Sequence, residues 1–113
     1  MSNETIDQAT FAELQEAAGA EFVTELVQTF LEEAPEMLKE LRESQAAGDA
    51  DTFRRAAHSL KSNSLTFGAV KLGALSRDLE LGGLAAAQKP EALDALMLEF
   101  LRVDAALKAL CHV

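Results

Sequence analysis

Apolar residues return every three or four positions through most of this chain, a rhythm that admits little besides helices packed side by side. Over 51–67 the seam is Phe53, Ala57, Leu60, Ser64 and Phe67; over 90–110 it is Leu93, Leu96, Phe100, Val103, Leu107 and Leu110. Alternating steps of three and four are the heptad spacing of helices that cross at a small angle. Over 21–47, Phe22, Val23, Leu26, Val27, Phe30, Leu31, Met37, Leu38 and Leu41 form a wider stripe, interrupted by Pro35. The stripe resumes on the same face after the proline, which predicts a bend there and not a break. A further segment, 69–81, carries Leu72, Leu75 and Leu79 and runs into Gly82-Gly83, a strong terminator.

Turn chemistry separates these segments. Gly48 ends the first long helix, with Asp49 or Asp51 free to cap the next, and Gly68 marks the following turn. Pro90 suits a first helical turn. Ahead of them, Thr10 and Glu13 stand at capping-box spacing and Gly19 closes a short helix over 10–18, too short to join a bundle and suited to covering one end. The expected fold is all-α: an antiparallel up-down-up-down four-helix bundle with a short N-terminal helix. At 113 residues there is room for one core, so 1–113 is read as a single domain.

Ten Lys and Arg against nineteen Asp and Glu give a formal charge of −9, which repels a phosphate backbone and argues against nucleic acid. No stretch is long and apolar enough for a membrane span, and the start has no signal-peptide character. Cys111 is the single cysteine, which suits a reducing compartment. A cytoplasmic protein is expected, and the polar lead from Met1 suggests a free-standing one.

One set of residues has no place in the seam. Turning about 100° per residue from Phe53, the seam stays within roughly 40°, whereas Lys61 falls near 80°, Arg54 near 100°, Leu65 near 120°, His58 near 140° and Ser62 near 180°. His58 has Lys61 three residues on and Ser62 four residues on, the spacings at which helical side chains meet. A neutral imidazole attacks phosphorus without a general base, and a nearby ammonium favours that neutral form and pairs with the phosphoryl oxygens. Arg54 and Arg55 add a local positive field, and Leu65 offers a partner something to bury. Spacing alone leaves open the plainer reading, an ordinary surface histidine with a lysine nearby. A metal-binding bundle is poorly supported: His58 and His112 are far apart and no Glu-x-x-His pair occurs, while Cys111 and His112 read as a frayed tail.

The stretch AHSLKSNSLTFGAVKLGALSRDLE, residues 57–80, resembles the signature of histidine-containing phosphotransfer (HPt) domains, approximately A-H-x-L-K-[GS]-x-[SA]-x-x-[LFI]-G-A-x-x-L-x-x-x-x-x-x-L-E. Ala57, His58, Leu60, Lys61, Ser64, Phe67, Gly68, Ala69, Leu72, Leu79 and Glu80 fall in register, and the preceding helix, with its F-L-x-E-x-P element and G-D turn, is also similar. The resemblance implies a four-helix bundle whose exposed phosphoacceptor is His58 and whose phosphoryl-contacting cation is Lys61. Ser62 stands where the family most often has Gly, at the place an incoming receiver domain needs space. Arg54, Arg55, Ser62 and Leu65 are the candidate docking residues. Ser64 and Glu80 are read as packing and helix-surface positions, and no carboxylate cluster is expected beside His58. The implied activity is that of a carrier in a two-component phosphorelay, taking phosphoryl groups from receiver aspartates and returning them. Its expected partners are response-regulator receivers or a hybrid sensor kinase. No nucleotide motif is present, so no kinase activity and no cofactor are expected; Mg²⁺ belongs to the receiver, and a monomer is expected. The alternative is a helical interaction module that lacks the chemistry.

Overall fold

The computed structural model describes residues 5–88 and 90–112, so the polar lead at 1–4 lies outside the described residues. Helix α1 is Gln8–Ala18, α2 Ala20–Ala47, α3 Ala50–Thr66, α4 Val70–Gly82 and α5 Pro90–Cys111. A 3₁₀ turn, Gly83–Ala87, joins α4 towards α5. Each long helix packs on the next and α5 closes back on α2, which makes the up-down-up-down bundle.

The seam read from the sequence is the core. Phe53, Ala57, Leu60 and Ser64 of α3 and Phe67 just past its end are buried, as are Leu93, Leu96, Phe100, Val103 and Leu107 of α5; only Leu110 is left half-exposed. Phe30 of α2 ties three elements together, its ring centroid 5.4 Å from that of Phe67 and 6.2 Å from that of Phe100, the latter edge-on. Helix α2 continues without a break through Pro35, which lies on the exposed side where water can serve the carbonyl that loses its donor. Glu99 of α5 is buried at 3% exposure and is held by Arg102 Nη1 at 3.3 Å and by Lys71 Nζ of α4 at 3.9 Å. A buried carboxylate is tolerated only with such partners, and this one bridges α5 to α4.

Capping chemistry sets the boundaries, with two corrections to the sequence reading. Helix α1 begins at Gln8 behind Asp7, not at Thr10: the Thr10 hydroxyl sits inside the first turn and donates back to the Asp7 carboxylate, so the Thr10/Glu13 spacing is no capping box. Helix α4 runs from Val70 through Gly82 and the stop is Gly83, because Gly82 keeps helical backbone angles and Gly83 has a positive φ of 66°. Between the two acidic candidates for the α3 cap, Asp49 takes the role: its carboxylate accepts from the Thr52 backbone N–H at 3.2 Å and the Thr52 hydroxyl at 2.7 Å. Those bonds, the hydroxyl's first, hold the Asp49 carboxyl below its ordinary value.

The α3–α4 turn anchors α1. Gly68 has φ 84°, and its carbonyl accepts from the Asp7 N–H at 2.8 Å, while Ile6 and Phe11 are buried against the bundle. A Cβ at Gly68 would lie 2.8 Å from the Asp7 carbonyl oxygen and 3.2 Å from Thr10 Cβ. Gly68→Ala therefore meets both a left-handed backbone and a backbone neighbour that cannot swing away. It should lower stability by about 1–3 kcal/mol in urea unfolding. An unchanged midpoint would show that α1 lifts off at no cost.

Candidate functional site

The α3–α4 turn also sets the register of the two helices that follow one another through it. Ala69 stands eleven residues after His58 and eleven before Glu80, and four after Leu65 and four before Gly73. Both pairs touch. Glu80 Oε2 is 2.7 Å from His58 Nδ1, and a Cβ at Gly73 would lie 2.6 Å from Leu65 Cδ2. The missing side chain at Gly73 lets α3 and α4 come close, and Leu65 lies over it, 48% exposed. The antiparallel fold-back thus brings Glu80 under His58.

Glu80 organises the site. Its second oxygen, Oε1, is 2.9 Å from Lys61 Nζ; this is a charge contact without the alignment of a hydrogen bond, and it leaves Oε1 a buried acceptor with capacity to spare. Side-chain exposure is 16% for Glu80, 23% for Lys61 and 57% for His58. The carboxylate and ammonium are tucked between the helices and the imidazole rides above them. The Lys61 ammonium first and then the bond from His58 hold the Glu80 carboxyl below its ordinary value against the opposing effect of burial. An ionised carboxylate only accepts, so Nδ1 carries the proton it donates to Oε2. In the neutral ring the other nitrogen, Nε2, then holds the free lone pair.

This corrects the sequence reading at Glu80, which is not a plain helix-surface position but a single carboxylate set against His58 and Lys61. The ammonium of Lys61 is accordingly no bare charge next to the imidazole but one already matched to Glu80. Sequence reasoning missed Glu80 because it lies on another helix, twenty-two residues away; the mirror spacing about Ala69 was the signal that could have found it.

The other expected residues are only partly assembled. Ser62 and Leu65 are exposed on the flank of α3 that bears His58, as their helical angles require. Arg54, one turn before His58, is exposed but paired with Asp51 at 2.8 Å. Arg55 also pairs with Asp51, at 3.2 Å, and lines a groove with Glu33, Glu36 and Glu40 of α2, away from the His58 flank. The local positive field expected of the two arginines is therefore only about halved, one carboxylate standing against two guanidinium groups, and Arg55 is not part of the His58 face. Ser64 is the packing residue expected, its hydroxyl donating to the Leu60 carbonyl at 2.6 Å. Cys111 is half-buried and His112 exposed at the end of α5. Among the described residues no group of three or more His, Cys, Asp or Glu side chains converges as metal ligands, and no helix is long and apolar enough to cross a membrane.

The Hpt domain family model matches residues 25–112, which include α3, α4 and the whole His58–Lys61–Glu80 cluster. The chain belongs to the Hpt domain family. Among solved structures, histidine-containing phosphotransfer protein B from Pseudomonas aeruginosa superposes with a TM-score of 0.88 at 30% sequence identity, covering 98% of this chain and 97% of that one. Comparison with curated protein sequences found no match. As an Hpt domain the protein is a phosphoryl carrier of the phosphorelay type. Members of this family work with receiver domains and kinases.

Proposed function

We propose that His58 is the phosphoacceptor: it takes a phosphoryl group from the aspartyl phosphate of one receiver domain and passes it to an aspartate of another. The observation that carries this reading is the 2.7 Å bond between Glu80 Oε2 and Nδ1 of a largely exposed histidine. With the Nδ1 proton committed to Glu80, the Nε2 lone pair forms the new P–N bond while the P–O bond of the aspartyl phosphate breaks and its carboxylate leaves. Nε2 has no proton to lose, so no general base is required. The ring gains positive charge in that step and Glu80 is its counter-ion. The return transfer is the same sequence in reverse, which suits a carrier that must both accept and give.

Lys61, one helical turn from His58, steadies the Glu80 carboxylate and lends its ammonium to the phosphoryl oxygens, where charge accumulates in a loose transition state. Charge-assisted contacts of this kind contribute about 1.5–3 kcal/mol. Lys61→Ala should accordingly slow transfer about 10- to 100-fold at fixed salt, and Lys61→Arg should recover part of the loss, since a planar fork restores charge but not position. Equal rates for wild type and Lys61→Ala with one purified receiver would remove Lys61 from the chemistry.

Ser62 and Leu65 are the docking residues beside the acceptor, and Arg54 adds to them once a partner competes for Asp51; Arg55 has no part in this face. The carrier acts as a cytoplasmic monomer without a cofactor of its own, Mg²⁺ being held by the receiver, and neither nucleic acid nor membrane enters its cycle. The test is incubation with a phosphorylated receiver, which should place acid-labile label on His58, beside incubation with ATP and Mg²⁺ alone, which should place none. Self-labelling from ATP, or label at another residue, would overturn the assignment.

A further inference from the structure

Most cations of the described chain are already matched to a carboxylate. Arg54 and Arg55 share Asp51, Lys61 holds Glu80, Lys71 and Arg102 hold Glu99, Arg42 pairs with Asp94 and Lys108 with Asp104. On the α3–α4 pair the exception, among the described residues, is Arg77, which is exposed and makes no ion pair. Its place in the fold is not arbitrary. It stands eight residues after Ala69, as Lys61 stands eight before, so the register that joins His58 to Glu80 sets Arg77 level with Lys61. Turning about 100° per residue from Glu80, Gly73 lies near 20° and Arg77 near 60°, on the side away from buried Ser76, Leu72 and Leu79. Arg77 is therefore the next side chain outward from Glu80, and about 4.5 Å along the helix axis from it.

Three exposed apolar side chains lie along the same flank of the α3–α4 pair. Leu65 is 48% exposed, Val70 57% and Leu81 71%, with Val70 near 80° and Leu81 near 100° on the outward side of α4 that bears Arg77. An apolar flank of this kind, once covered, excludes water from a charged contact beside it and strengthens it.

We infer that Arg77 is a second phosphoryl-binding cation: its guanidinium closes on the phosphoryl group carried by His58, from the α4 side and opposite Lys61. This rests on His58 being the phosphoacceptor. Lys61 is bound to Glu80 and can give the phosphoryl oxygens only part of its charge, whereas Arg77 brings an unmatched charge and a fork of donors suited to two oxygens of one phosphoryl group.

The test needs no receiver. Phosphoramidate is a small N-phosphoryl donor: the Nε2 lone pair forms the new P–N bond, the donor P–N bond breaks, and ammonia leaves. The last proton of the phosphoryl group on His58 is then titrated by ³¹P NMR in wild type, Arg77→Ala and Arg77→Lys. A cation in contact favours the dianion, so Arg77→Ala should titrate about 0.5–1 pH unit higher than wild type, less than the roughly 1–3 units by which an adjacent arginine lowers an aspartate. Arg77→Lys should fall between them. A purely structural arginine would move none of these curves. Coincident titrations of wild type and Arg77→Ala, both labelled at His58, would overturn the inference alone. Failure of wild-type His58 to take the label would overturn the phosphoacceptor assignment and this inference with it.

Discussion

His58→Gln should take no phosphoryl group from any receiver and should melt at the wild-type temperature. The two halves of that result come from different parts of the structure. The imidazole is the only group at this position with a nitrogen lone pair free of a proton, and glutamine offers none of comparable nucleophilicity, so the loss of acceptance is complete. Stability is untouched because the side chain is 57% exposed, off the Phe53–Ala57–Leu60 seam, and its amide N–H₂ can still donate to Glu80 Oε2. Changes at such positions usually stay within about ±0.5 kcal/mol. Circular-dichroism melting beside acid-labile labelling checks both at once. A large fall in melting temperature would make His58 a core residue, and undiminished label would put the acceptor elsewhere.

The packing seams of α3 and α5 were legible along single helices, although Phe22, counted in the α2 stripe, is 52% exposed; the contacts that depend on two helices were not legible. The seams of α3 and α5 follow from side chains repeating on one face, a property of sequence spacing alone, and the exposure of His58, Ser62 and Leu65 follows from the same wheel. Glu80 escaped because its contact to His58 depends on how far α4 folds back on α3, which the turn at Gly68–Ala69 decides. Arg55 was grouped with Arg54 by adjacency, yet neighbours on a helix point about 100° apart and Arg55 turns towards α2. At the N-terminus, Thr10 and Glu13 imitate a capping box, but the backbone bond from Asp7 to the Gly68 carbonyl fixes the chain three residues earlier. Tertiary contact overrode a local signal there. The 3₁₀ turn at Gly83–Ala87 has no periodicity to betray it, only a Gly that stops α4 and an Ala87 that is buried.

Substitutions at Glu80 should rank by what each presents to Nδ1 of His58. Glu80→Ala removes the acceptor and the counter-ion together and leaves the ring free to exchange tautomers. Loss of a charge-assisted bond of about 1.5–3 kcal/mol should slow transfer about 10- to 100-fold. Glu80→Gln keeps a carbonyl oxygen that accepts from Nδ1–H but no charge to answer the developing imidazolium or Lys61, so its loss should be smaller, within about tenfold. Glu80→Lys is the severe case. An ammonium donates to Nδ1, drives the proton to Nε2 and takes away the lone pair that attacks phosphorus, and a wrong tautomer in a comparable histidine site costs on the order of 10⁴ in rate. The ring ¹⁵N shifts of His58 report the tautomer independently of rate: wild type and Glu80→Gln should show a protonated Nδ1, and Glu80→Lys a protonated Nε2. Because Lys61 and Glu80 act as one unit, Lys61→Ala should cost less in a Glu80→Ala background than in wild type. The pH dependence follows from the depressed Glu80 carboxyl. Its ionised form contributes fully to the folded state above the unfolded glutamate value of about 4.3; that contribution is lost as pH falls through the lower folded value, so the anchor on Nδ1 persists throughout the neutral range. Glu80→Lys transferring as fast as Glu80→Gln, with Nδ1 still protonated in both, would mean that something other than Glu80 sets the tautomer of His58.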